Sequence, residues 1–133
     1  SSISSIDMGA GKDKVTIKHF TDQDLQVDLG AGKDHLSIDK TNLLGGPNPQ
    51  LIIDAGADKD TVTVSNLQTG DISVDLGPGE KDGVQLSSVT ADDANFLDSS
   101  GTKGIIRGTQ NQITHQTIAA AYTNRSGDLR TNK

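Results

Sequence analysis

The chain has 133 residues, the size of one ordinary domain, which excludes a large two-domain enzyme. It contains two Phe, one Tyr, no Trp and no Cys, so a bulky aromatic core, disulfide bonds and thiolate metal sites are excluded. The formal net charge is −6, and residues 1–98 carry 17 acidic groups against 7 lysines, which makes nucleic acid an unfavourable partner.

One phrase recurs four times along the chain, at residues 6–17, 27–38, 53–64 and 74–86. Its first aspartate falls at positions 7, 28, 54 and 75, so the steps are 21, 26 and 21 residues. A degenerate fifth copy is expected at Leu97-Asp98, because Ile106 follows Asp98 at the spacing that separates Val15 from Asp7. The longer second step contains residues 43–49, which predict a loop that bulges from one coil.

Each copy has the pattern of a strand, a turn and a second strand. Aliphatic residues alternate with polar ones before the turn, as in residues 25–29, and after it, as in residues 36–38. The turns contain glycines that are expected to supply backbone conformations other residues resist. These turn glycines are Gly9, Gly11, Gly30, Gly32, Gly56, Gly77 and Gly79.

A unit of about 21 residues with two short strands cannot bury its aliphatic face alone, so successive copies are expected to coil and stack. The pattern therefore predicts an all-β fold, a right-handed parallel β-solenoid (β-helix) of about five coils. Beyond residue 98 the pattern fades, and Ile105, Ile106 and Ile113 predict a last coil. Residues 117–122 are rich in alanine and predict a short C-terminal capping helix. We divide the chain into a solenoid domain, 1–116, and a cap with a flexible tail, 117–133.

The turn segments at residues 9–15 and 30–36 resemble the nonapeptide repeat G-G-x-G-x-D-x-U-x of RTX (hemolysin-type) proteins. The resemblance implies a parallel β-roll that binds Ca²⁺ between successive turns, although here the motif recurs once per 21 to 26 residues instead of every nine. Carried over by position, the calcium-ligating carboxylates are those of Asp13, Asp34, Asp60 and Asp82. Carboxylate and carbonyl oxygens are the hard ligands that suit this ion. No other cofactor is implied.

Two interpretations of these aspartates remain open at the level of sequence. Lys12, Lys33, Lys59 and Lys81 lie beside them and would repel a cation. The alternative to calcium is a metal-free ladder in which Asp and Lys neutralise one another across stacked coils and the backbone donates hydrogen bonds to Asp. A second series, Asp7, Asp28, Asp54, Asp75 and Asp98, is predicted to form Asx turns at the strand ends.

The function that fits these patterns best is non-enzymatic. We expect a rigid scaffold or binding surface within a secreted or surface-exposed bacterial protein of the effector, toxin or adhesin type, associated with virulence. Its partner would be a protein or a glycan, besides the rest of a longer parent chain. No apolar run reaches the roughly 18 residues that span a bilayer. The alternative is a fragment of a β-helical lyase or hydrolase acting on polysaccharides, but all three arginines lie outside the repeats.

Overall fold

The computed structural model describes residues 3–21, 24–44, 49–56, 60–75, 82–97, 104–118 and 122–124, and within these ranges all regular structure is β. The described residues include no helix long and apolar enough to cross a membrane. The strands are β1 (Ile3–Asp7), β2 (Lys14–Lys18), β3 (Asp24–Asp28), β4 (His35–Asn42), β5 (Gln50–Asp54), β6 (Thr61–Gln68), β7 (Asp71–Asp75), β8 (Asp82–Leu97), β9 (Gly104–Thr109), β10 (Gln112–Ile118) and β11 (Tyr122–Asn124).

The strands form two parallel stacks, and the chain passes from one to the other within each repeat. The first stack runs β1, β3, β5, β7 and then the C-terminal part of β8, which pairs in turn with β10. The second runs β2, β4, β6, the N-terminal part of β8, β9 and β11. The four sequence copies thus build about four turns of a parallel β-solenoid, which confirms the predicted fold class.

The core is a set of aliphatic ladders between the two stacks. Every second side chain of a strand points inward, so Leu25 and Val27 in β3 and Leu36 and Ile38 in β4 are almost fully buried. The parallel register places each of them on the equivalent residue of the next coil. Since full burial of one such side chain stabilises a fold by about 1.5–3 kcal/mol, these ladders are the main source of stability.

The degenerate fifth copy keeps one predicted position and shifts another. Ile106 is buried and pairs with Val84, the position equivalent to Val15, as expected. In the other stack, however, Asp75 pairs with Leu97 and Val74 with Phe96, one residue away from the predicted alignment on Asp98. Phe96 is fully buried, and a slip by one residue would turn it to the outside. Asp98 itself lies outside the described residues.

The predicted capping helix is wrong. Thr117 and Ile118 belong to β10, where Ile118 pairs with Phe96, and Tyr122 begins β11. β-Branched and aromatic residues such as Ile118 and Tyr122 fit a pleated surface, and at the described residues of this segment parallel pairing with an existing strand outweighs helix propensity. Residues 119–121 and 125–133, which include most of the predicted tail, lie outside the described residues.

The first coil differs from the next in burial. Ile6, Met8, Val15 and Ile17 are only partly buried, because β1 and β2 are the outermost strands of the two stacks. Their equivalents one coil further along are fully buried. The expected loop between the second and third copies begins with buried Leu43 and half-exposed Leu44, and residues 45–48 lie outside the described residues.

Candidate functional site

The aspartates at the ends of β1, β3 and β5 form Asx turns. An Oδ1 atom of Asp7, Asp28 and Asp54 accepts a hydrogen bond from the backbone N–H two residues later, at 3.1, 3.0 and 3.1 Å respectively. The register stacks these carboxylates on one another. Their first role is therefore to turn the chain, since a short acceptor side chain can replace a backbone partner at a strand end.

The stacking of like charges in this series affects Asp54. Partial burial raises the pKa of the Asp54 carboxyl, and the neighbouring Asp28 and Asp75 carboxylates raise it further, while the Gly56 N–H lowers it. The charged form of Asp54 is therefore unfavourable for the folded state, because it is partly desolvated and stacked between like charges.

The second aspartate column lies after the glycine turn and links successive coils. The Asp34 Oδ1 atom accepts the backbone N–H of Asp13 at 2.9 Å, and the Asp60 Oδ1 atom accepts the backbone N–H of Asp34 at 3.0 Å. In the opposite direction the carbonyl oxygens of Asp13 and Asp34 accept the N–H groups of His35 and Thr61. Asp34 and Asp60 therefore contribute both backbone and side chain to the contact between coils, and Asp13 contributes its backbone.

The carboxylates of this column are buried. Asp34 is 3% exposed and Asp60 is fully buried, whereas Asp13, in the outermost coil, is partly buried. The Oδ2 atoms of Asp13 and Asp34 are shielded from solvent and have no hydrogen-bond partner. A buried polar atom without a partner costs about 1–3 kcal/mol, and more when it is charged, so a bound cation would offset the cost of burying these oxygens. The backbone of Asp82 continues the column, because Gly83 N–H donates to the Asp60 carbonyl; its side chain lies outside the description.

Within the described residues, the predicted pairing of aspartate with lysine is not found at Asp13 and Asp34. Neither Lys12 nor Lys33, both exposed, lies within 4.0 Å of a carboxylate oxygen; the ion pair present in the described ranges joins His115 to Asp93 at 3.2 Å. The long lysine side chains are extended into solvent, where pairing would gain little. Lys59 and Lys81 lie outside the described residues. The part of the metal-free interpretation that agrees with the structure is the backbone hydrogen bonding to Asp.

The glycine turns are packed directly on one another. Gly9, Gly30 and Gly56 have φ of +71°, +76° and +76°, and Gly11 and Gly32 both have +113°. A Cβ atom on Gly32 would overlap the Gly11 carbonyl oxygen, and one on Gly30 would overlap that of Gly9. Gly11 N–H also donates to the Ala31 carbonyl of the next turn at 3.0 Å. Gly77 and Gly79 lie outside the described residues.

This packing limits where calcium could bind. Ca²⁺–oxygen distances of about 2.3–2.6 Å place two ligands on opposite sides of the ion about 5 Å apart, whereas the described turns touch through their backbones. The Oδ2 atoms of Asp13 and Asp34, which lie just before β2 and β4 in neighbouring coils, are carboxylate oxygens without a hydrogen-bond partner and so are available to an ion. The described residues contain no cluster of three metal-ligating side chains. A cation there would complete its shell with water or backbone oxygens.

A further column, which sequence reasoning missed, lies at the bend of the coils: after β2, within β4, β6 and β8, and after β9. One residue in each coil has a left-handed backbone with φ between +51° and +57°, and none is glycine. The column consists of His19, Lys40, Asn66, Ser88 and Gln110. Only Asn66 and His19 are residue types that favour this conformation, so the sequence carries little signal of the bend.

Side chains brace this bend from neighbouring coils. Asp39 accepts hydrogen bonds from Ser65 Oγ and Asn66 Nδ2, both at 2.9 Å, and these bonds, with smaller contributions from Lys40 and Lys18, hold the pKa of the Asp39 carboxyl below its usual value. Asn111 likewise accepts from Val89 N–H and donates to the Leu86 carbonyl.

Two clefts lie on the outer surface. One, of about 210 Å³, lies on the second stack over Gly83, between Thr61, Gln85 and Arg107. The other, of about 330 Å³, lies along the bend. No family model, curated protein or solved structure matches the chain, so its function is argued from this geometry alone.

Proposed function

We propose that this chain is a non-enzymatic β-solenoid module of a secreted or surface-exposed bacterial protein, which acts as a rigid scaffold with its outer faces available to a protein or glycan partner. The observation that carries the proposal is the uninterrupted parallel register of both stacks across all four copies. Such a ladder fixes each outward side chain at a set distance from its neighbours, which suits a scaffold and a repetitive binding surface.

Calcium is proposed as the stabiliser of this scaffold, bound at the Oδ2 atoms of the Asp13 and Asp34 column. The support is the burial of these oxygens without a hydrogen-bond partner. When bound, the ion would neutralise the carboxylates and join neighbouring coils. A site with few carboxylate ligands is expected to be weak, in the range of about 10⁻⁴–10⁻³ M that is typical of extracellular calcium modules. This range agrees with the proposed location outside the cell.

The test compares thermal unfolding in a chelator with unfolding in 5 mM Ca²⁺ and in 5 mM Mg²⁺. A ligand that binds only the native state at tenfold excess over Kd stabilises it by about 1.4 kcal/mol, which raises the Tm by several degrees. Asp34→Asn keeps an acceptor for the Asp13 N–H but removes the charge, so it should abolish the calcium shift. The matched control is Asp28→Asn, which should retain it.

Equal shifts with Ca²⁺ and Mg²⁺, or a shift that survives in Asp34→Asn, would contradict calcium binding at this column and leave the scaffold proposal intact. The scaffold proposal has its own test. Incubation with pectic and other polysaccharides should release no new reducing ends or unsaturated products. Release of such products by the purified chain would replace the scaffold by a polysaccharide-active enzyme.

A further inference from the structure

The larger cleft follows the bend of the solenoid across three successive coils. Its volume is about 330 Å³. Each coil contributes one residue from the left-handed column and one from the strand segment that follows: Lys40 and Asn42, Asn66 and Gln68, Ser88 and Thr90. We call this cleft, with its continuation along the same two columns, the bend groove.

The strand column of the bend groove is uncharged over its whole length. Parallel pairing aligns Thr21 with Asn42, Asn42 with Gln68, Gln68 with Thr90, and Thr90 with Gln112. All five are exposed, and all carry an amide or a hydroxyl group. Two other outward columns carry charge: the column of Thr16 ends at Arg107, and the column of Lys18 contains Asp39. The column of Gln26 is also uncharged, but the apolar Ile52 interrupts its polar residues. In a chain with 23% charged residues, five stacked uncharged polar residues are a distinct surface.

The polar groups of the groove are partly fixed and partly available. Asn42 Oδ1 accepts the Leu44 N–H at 3.0 Å, and Asn66 Nδ2 donates to Asp39, so these two amides are held in place. The Gln68 amide has only a weak 3.4 Å contact with Asn42. Within the part of the chain that the structure describes, the hydroxyls of Ser88 and Thr90 form no hydrogen bond with protein. The groove therefore presents oriented amides beside donors and acceptors open to a ligand.

The chemistry of the groove selects among ligand classes. The backbone N–H and C=O groups of β4, β6 and β8 are used in their own ladders, so an extended peptide could not add to the sheet here. The cleft itself is lined by no aromatic ring and a single cation, Lys40, and its continuation along the left-handed column adds one imidazole, that of His19. So few rings and cations disfavour nucleic acid. The amide and hydroxyl groups of the groove both donate and accept hydrogen bonds. They match a carbohydrate, because every sugar unit carries hydroxyl groups that also donate and accept.

We propose that the bend groove binds a neutral polysaccharide chain that lies along the solenoid axis. The coils present equivalent amide and hydroxyl groups at the strand spacing of about 4.8 Å, so consecutive parts of an extended chain meet equivalent partners. Each contact is weak without ring stacking, and binding depends on several coils acting together. The inference rests on the proposed binding surface and names both its position and its ligand class.

Native affinity electrophoresis in gels that contain a soluble polysaccharide tests the proposal, with xyloglucan, galactomannan and dextran as neutral probes and polygalacturonate as the acidic one. At least one neutral probe should retard the chain. The double variant Gln68→Ala, Thr90→Ala should weaken that retardation at least fivefold. Gln26→Ala, an exposed glutamine on β3 away from the groove, is the matched control and should have no effect. Both altered groove residues are exposed, so an unchanged Tm should accompany the loss.

Three results would overturn the proposal: no retardation by any neutral probe, retardation by polygalacturonate alone, or an equal loss of binding in Gln26→Ala. None of them affects the calcium-dependent Tm or the absence of polysaccharide cleavage, so failure of the groove and failure of the scaffold can be told apart.

Discussion

Asp39 and Asp54 are both aspartates on outward faces of the coils, yet their surroundings shift their pKa values in opposite directions. Hydrogen bonds from Asn66 and Ser65 lower the pKa of Asp39. Partial burial and the stacked carboxylates of Asp28 and Asp75 raise the pKa of Asp54. A carboxyl group with a lowered pKa stabilises the fold when it is charged, and one with a raised pKa destabilises it.

Replacement of each by asparagine should therefore have effects of opposite sign at pH 7. Asp54→Asn keeps the acceptor for Gly56 N–H and removes the repulsion between carboxylates, so it should stabilise the fold by about 0.5 kcal/mol. This gain should vanish as the pH falls below the ordinary Asp range, because the wild-type carboxyl is then protonated. Asp39→Asn should lower the Tm at pH 7, with the loss shrinking as the pH falls through the lowered pKa. Thermal melts from pH 3 to pH 7 measure both; the same sign for both variants at pH 7 would contradict this assignment.

Gly11 and Gly32 illustrate two different reasons why a turn position requires glycine: backbone conformation and close contact with a neighbouring turn. Both have a φ of +113°, but a Cβ atom would meet nothing within 4 Å at Gly11 and would overlap the Gly11 carbonyl oxygen at Gly32. Gly11→Ala should cost about 1–3 kcal/mol from backbone strain alone. Gly32→Ala should cost clearly more, because the two turns must also separate. Denaturant unfolding measures the difference, and equal losses would mean that the close contact between turns contributes nothing.

At the scale of the element, the bend in each coil contains a residue with a left-handed backbone, and most of these residues are of types that do not favour this conformation. Lys40 has a φ of +52°, a conformation that costs a residue other than glycine about 1 kcal/mol and that asparagine tolerates better. Lys40→Asn should stabilise by about 0.5 kcal/mol. Lys40→Gln, which removes the same charge without favouring the conformation, is the control and should not. Matching Tm values for the two variants would show that charge, not backbone strain, accounts for any gain.

The elements show which parts of this fold could be read from the sequence. Period-two alternation and the repeat step predicted both strands of each copy, because Leu36 and Ile38 recur as Val62 and Val64 at the same offset from the turn. The bend was missed since Lys40, Ser88 and Gln110 have no local preference for it, and only the stacking of coils imposes it. The helix at residues 117–122 was predicted from alanine propensity, which cannot register that β8 and β9 offer edges for β10 and β11.

The candidate site, like the fold, could be predicted from the sequence only in part. Spacing alone placed Asp13, Asp34 and Asp60 in one column, because the repeat brings equivalent positions of successive coils together. Spacing could not show that the Asp34 Oδ1 atom bonds the backbone of the neighbouring coil, while the Oδ2 atoms of Asp13 and Asp34 are buried without a hydrogen-bond partner. Nor could it show that Lys12 and Lys33 are exposed, since the direction of a long side chain is decided by solvation and not by position in the repeat.

At the scale of the molecule, each coil is stabilised by its neighbours, so stability should vary along the axis. Among the described strands the first coil has a neighbour on one side: β1 pairs with β3 alone, and β2 with β4 alone. Its aliphatic side chains, Ile6 and Ile17 among them, are partly exposed. The third coil is covered on both sides, and Leu51, Ile53, Val62 and Val64 are buried.

Amide hydrogen exchange should therefore be faster in β1 and β2 than in β5 and β6. Local opening of the first coil breaks one interface, while opening of the third breaks two, and strands with fewer buried contacts open at lower free energy. Ile17→Ala should then reduce protection mainly in β1 and β2. Val64→Ala should reduce it throughout both stacks, because its free-energy cost, up to about 2–5 kcal/mol, affects two interfaces between coils. Uniform protection from β1 to β9 would mean that the coils unfold as one cooperative unit.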